Sequence, residues 1–194
     1  MALTLAQYQA IKADILADPT LSAFPNNGDG DNFIADIYNA PPAVAMEVWR
    51  TNSNVDDIED NIKWAQFTPT DAIDSNVITT NRLLAIRLKQ ETLKGLIGAR
   101  TTLNTSKLNI REGLADSTTN IPSGPAWANV QPGGAQGKNV LGVCKRQATR
   151  IEKLLNTGSA TTPVTGGANS TTANIMGFEG PIFGSDVHIA RVTT

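Results

Sequence analysis

The sequence predicts a mainly α-helical fold, a small helical bundle followed by a long extended C-terminal arm that ends in a short β-strand. Three observations predict it. Apolar residues recur at three- and four-residue spacing through much of the first 156 positions, the repeat that places them on one face of a helix. Residues 157–174 are almost wholly Thr, Gly, Ser, Asn and Ala, and so polar a stretch buries too little apolar surface to fold by itself. Beyond it stand Ile175, Met176, Phe178, Ile182 and Phe183, side chains that each gain on the order of 1.5–3 kcal/mol by burial. The expected division is a helical domain over 1–156 and an arm with a docking tip over 157–194. Fully extended, residues 157–174 reach up to about 60 Å, farther than a domain of this size is wide.

The first helix opens at Thr4, where Thr4-Leu5-Ala6-Gln7 has the form of a capping box. Leu5, Tyr8, Ile11, Ile15 and Leu16 follow at helical spacing, and Pro19 comes after the end. Residues 24–30 read as a loop. A short helix is expected over 31–39, stopped by Pro41-Pro42, and another over 43–50 with Val44, Val48 and Trp49 apolar. Asn54 reads as a cap for Val55, Ile58 and Ile62, with Asp56 and Asp57 favouring the positive helix end. A connector with Pro69 follows over 67–74. The strongest helical pattern spans 77–97, weakened near its end by Gly95 and Gly98. A further helix is expected over 106–116, then a long loop over 117–137 rich in proline and glycine. The last expected helix runs over 138–156, with Gly158 just beyond.

Composition excludes several classes. A chain of 194 residues with 40% hydrophobic content fits one domain plus an arm. It has no apolar run long enough to span a membrane, and its start predicts no signal peptide. The single cysteine, Cys144, makes no intramolecular disulfide and fits a reducing compartment. The net charge of −2 conceals a division. Residues 1–76 carry twelve acids and three bases, a balance of −9, and residues 77–194 carry thirteen bases and six acids, a balance of +7. Such asymmetry suits head-to-tail contact between copies, and it equally suits neutralisation within one subunit.

No constellation for catalysis, metal or cofactor emerges. Asn27-Gly28-Asp29-Gly30-Asp31 resembles the start of a calcium loop, but Asn32 and Tyr38 stand where that loop needs Gly and Glu. His188, the only histidine, has no serine on a rigid elbow to serve; it reads as a surface or interface residue. Cys144 beside Lys145-Arg146 reads as a small core residue rather than a nucleophile. Gly133-Gly134 and Gly166-Gly167 lack the Lys and Ser/Thr of a phosphate loop. In the expected last helix, Lys145, Arg146, Arg150 and Lys153 make a basic face that fits an acidic protein partner or DNA phosphates. It lacks interleaved aromatics for base stacking.

Val48-Trp49-Arg50-Thr51, Ile62-Lys63-Trp64, the stretch Lys107-Leu108-Asn109-Ile110-Arg111-Glu112-Gly113-Leu114-Ala115-Asp116, the stretch Lys145-Arg146-Gln147-Ala148-Thr149-Arg150-Ile151-Glu152-Lys153-Leu154-Leu155 and Met176-Gly177-Phe178-Glu179-Gly180 together resemble a class of tailed-bacteriophage structural proteins, the head–tail connectors or adaptors of the virion neck. The resemblance implies a virion protein with no active site, assembled in the host cytoplasm. It implies homo-oligomeric rings, dodecamers among them, between the portal protein and tail proteins. It also implies an arm docked on the portal or an adjacent subunit, and possible DNA in the channel. A tail terminator or other tail or baseplate component is the nearest alternative. A nucleic-acid-binding helical module is the next.

Overall fold

The computed structural model describes residues 3–67, 77–119, 140–161, 176 and 178–193. The fold is mainly α-helical, with two minor two-stranded sheets. The described chain divides into two compact units: residues 3–48, 147–161, 176 and 178–193 form unit 1, and 49–67, 77–119 and 140–146 form unit 2.

Unit 1 opens with α1 (Leu5–Ala17). Its capping box forms as expected: Gln7 N–H donates to Thr4 Oγ1 at 3.3 Å, and Thr4 N–H donates to Gln7 Oε1 at 2.8 Å. Asp18 then breaks the helix and caps α2 (Pro19–Ser22), accepting from Thr20 N–H at 2.8 Å. Pro19 is tolerated there because the first helical position needs no amide donor.

The next helix, α3 (Gly28–Asn39), starts three residues earlier than the sequence predicts. Asn27 caps it through Gly30 N–H at 2.9 Å, so the glycines read as loop lie in its first turn. Gly30 is required by space, since a β-carbon there would sit 2.1 Å from the Pro25 carbonyl oxygen. Gly30→Ala is therefore expected to lower stability by more than the usual helix preference for Ala over Gly would raise it. A thermal melt at or above the wild-type midpoint would contradict that.

The expected helix over 43–50 is instead β1 (Glu47–Trp49), which pairs with β4 (Lys145–Gln147). Val48 and Trp49, β-branched and aromatic, suit a strand once a partner is present. Pairing at β4 also removes the front of the helix expected over 138–156. Residues 140–144 form turns, and α7 covers only Arg150–Thr157. A second capping box sets that start: Thr149 N–H donates to Glu152 Oε2 at 2.9 Å, and Glu152 N–H donates to Thr149 Oγ1 at 3.3 Å. Gly158, left-handed at φ 77°, closes α7, as expected from glycine's freedom there.

The C-terminal segment corrects the largest expectation. Residues 162–175, the middle of the expected arm, lie outside the described residues, but the described C-terminal segment forms no strand and packs on its own unit. It ends in α8 (Gly184–Val192), packed on α1 and α3. The division at 156/157 therefore does not hold, since the described C-terminal residues belong to unit 1. Phe178, Ile182, Val187 and Ala190 join Ile11, Ile34, Tyr38 and Ile151 in its core.

Unit 2 holds β2 (Ser53–Asn54), α4 (Val55–Glu59), a 3-10 turn over Trp64–Phe67, α5 (Val77–Ile97), β3 (Thr102–Leu103) and α6 (Leu108–Thr118). Asn54 caps α4, accepting from Asp56 N–H at 3.2 Å, but the helix stops at Glu59 rather than continuing to Ile62. α5 has the bounds the apolar pattern predicts. The strands β2 and β3 pair antiparallel, Ser53 opposite Leu103. Ile58, Ile86, Leu93, Leu103, Leu114 and Cys144 meet in this unit's core. α6 lies close enough to α5 that a β-carbon on Gly113 would stand 3.0 Å from a Leu96 methyl. The long loop lies largely outside the described residues, over 120–139.

Candidate interaction surfaces

The predicted docking tip is held by its own unit. Ile182 is paired like a strand residue with a side chain: Asn39 Nδ2 donates to its carbonyl at 2.8 Å, and its N–H donates to Asn39 Oδ1 at 3.0 Å. Gly180 N–H donates to Glu152 Oε1 at 3.0 Å. Phe178 is buried, and Met176 packs against Met46, Val48 and Ala148. Ile175 lies outside the described residues. Of the five tip residues, Phe183 alone among those described projects largely into solvent, 65% exposed.

α8 is clamped by charge as well as packing. The Arg191 guanidinium donates to the Phe24 carbonyl at 3.0 Å, the Pro25 carbonyl at 2.8 Å and the buried Asp31 carboxylate at 2.9 Å. His188 Nδ1 lies 3.2 Å from the other Asp31 oxygen. Tyr8 hydroxyl donates to Asp186, and Lys12 to the Thr193 carbonyl. Asp31 is thus one half of an ion pair with Arg191. Among the described residues no group of acids, histidines and cysteine is placed to hold a metal ion.

The basic face does not exist as such. Lys145 and Arg146 are on β4, where successive side chains point to opposite sides. Lys145 Nζ stands 4.9 Å from the centre of the Trp49 ring, which Arg111 also covers at 4.6 Å. Arg150 turns inward and bridges Asp14 and Asp18, each at 2.8 Å, over the Tyr38 ring. Burial alone would lower its pKa, but the bonds to both carboxylates outweigh that and raise it. Asp18 responds in mirror image: burial would raise its pKa, and the Arg150 bond helps bring it below the usual carboxylate value. Burial beside Asp14 pushes the Tyr38 hydroxyl far up. Lys153 is enclosed, donates to the Val44 carbonyl at 2.7 Å and has its pKa pulled down by desolvation. The stripe requires one helix period across 138–156, and Thr149-x-x-Glu152, a capping box visible in the sequence, interrupts that period.

Cys144 is buried as expected, though not on a helix, and its thiol donates to the Val140 carbonyl at 3.3 Å. Burial pushes its pKa up. It is expected to resist iodoacetamide at about pH 8 in the folded protein and to react once denaturant is added. Native-state labelling at the unfolded rate would contradict this.

Apolar side chains on several helices also face solvent. In unit 1, Leu5 and Leu16 on α1 are 63% and 69% exposed, and Phe33 on α3 is 58% exposed. The exposed positions of α1 also include Ala6, Gln9 and Ala13. In unit 2, Leu84 and Leu88, one turn apart on α5, are 55% and 61% exposed. No family model, curated protein or solved structure matches the chain.

Proposed function

We propose that this protein is a structural virion subunit that assembles into a homo-oligomeric ring and joins the capsid portal to the phage tail as a head–tail connector. One observation carries self-assembly: large apolar side chains stand in solvent on helices of both units, above all Leu84 and Leu88 on α5. Exposed apolar surface of this kind is where subunits associate. The motif resemblance supplies the placement in the neck. The roles found for Asp31, Cys144 and the basic residues are structural ones, in keeping with a subunit whose work is contact rather than chemistry.

Electron microscopy of the full-length chain is expected to show closed rings that bind the purified portal protein of the same phage. Rings that ignore the portal would favour a tail terminator or baseplate component. Dispersed single subunits that neither assemble nor bind the portal would overturn the reading.

A further inference from the structure

We infer that copies of this chain associate head to tail, the outer face of α5 on one copy seating against the α4–Trp64 face of the next. The inference rests on the self-assembly reading and names its contact. The α5 face presents Leu84 and Leu88 with Arg87 exposed between them, and Arg87 has no ion-pair partner among the described residues. Lys94 lies further along, in a loose 3.5 Å pair with Glu91 in which both side chains are more than half exposed. The surface is apolar at its centre and carries unspent positive charge.

Its complement is on the same chain. Asp56, Asp57, Glu59 and Asp60 fall within and just after α4, and none of the four has an ion-pair partner among the described residues. Beside them stands Trp64, 40% exposed, its indole N–H donating to the Glu59 carbonyl at 3.2 Å. An acidic rim with an anchored, half-exposed tryptophan is suited to receive apolar side chains flanked by cations. Pairing α5 with α5 of another copy would instead leave the four acids of the α4 face uncovered. A contact between two different patches propagates from copy to copy and closes into a ring when the rotation allows.

Two charge-reversed full-length chains test this. One is Arg87→Glu with Lys94→Glu; the other is Asp57→Lys with Asp60→Lys. All four positions are exposed, and circular dichroism checks that each chain folds. Each alone is expected to lose assembly by at least tenfold in concentration. An equimolar mixture is expected to regain it, with the two chains alternating, since each altered face then meets an opposite charge. If the wild type assembles and both variants assemble alone equally well, this contact is wrong while self-assembly stands. If the Asp57/Asp60 variant assembles alone and only the Arg87/Lys94 variant fails, α5 meets something other than α4. A mixture that stays dispersed while the wild type assembles also rejects the contact. A wild type that stays a single subunit overturns both this inference and the reading beneath it.

Discussion

Replacing Arg150 with alanine is expected to destabilise unit 1 by about 3 kcal/mol, the lower part of the range for breaking a buried ion pair. Its side chain is 15% exposed, and its removal strands Asp14 and Asp18, which keep 14% and 26% of their surface. The lost contact with the Tyr38 ring adds to the cost. The effect carries a pH signature. Asp18 is held below its unfolded value, so its contribution is present above an unfolded pKa of about 3.9 and lost as pH falls through the lower folded value. The gap between wild type and variant should be full at neutral pH and narrow below about pH 4. Urea melts across that range measure it. A gap under 1 kcal/mol at neutral pH, or one that widens in acid, would mean the bridge contributes little.

Removing residues 178–194 is expected to unfold unit 1 rather than release an unused arm. The deletion takes Phe178, Ile182, Val187 and Ala190 from the core, together with the Arg191–Asp31 pair. At roughly 1.5–3 kcal/mol for each larger side chain, the loss is about 6 kcal/mol before the ion pair is considered. That is comparable with the whole stability of an ordinary domain. Hydrogen exchange should show protection lost in α1, α3 and α7 and kept in α5 and α6, whose core residues lie in unit 2. Full protection of α1 and α3 in the truncated chain would show that the tip is not part of the core.

The sequence was most legible where local signals acted without long-range partners. α5 has no competing motif across its apolar repeat, and its bounds could be read directly. Thr4, Asn54 and Gly158 marked their helix ends because a cap needs only its own neighbours. The strands β1 and β4 were not legible, since three residues are too few to show a period and each depends on the other, nearly a hundred positions away. The C-terminal segment was misread for a related reason. Its glycines and proline mask Val187 and Ala190, whose burial depends on α1 and α3. Charge was legible as a total but not as pairs. The acidic first part and basic remainder meet within unit 1 through Asp14, Asp18 and Asp31 with Arg150 and Arg191, whereas the acids of α4 keep no such partner among the described residues.

Native mass spectrometry of the full-length chain at micromolar concentration tests the central claim most directly. One dominant closed oligomer is expected, a single integer multiple of the subunit mass, that dissociates when the face of Leu84, Arg87 and Leu88 is altered. A single-subunit mass at every concentration, with no larger species, would contradict it.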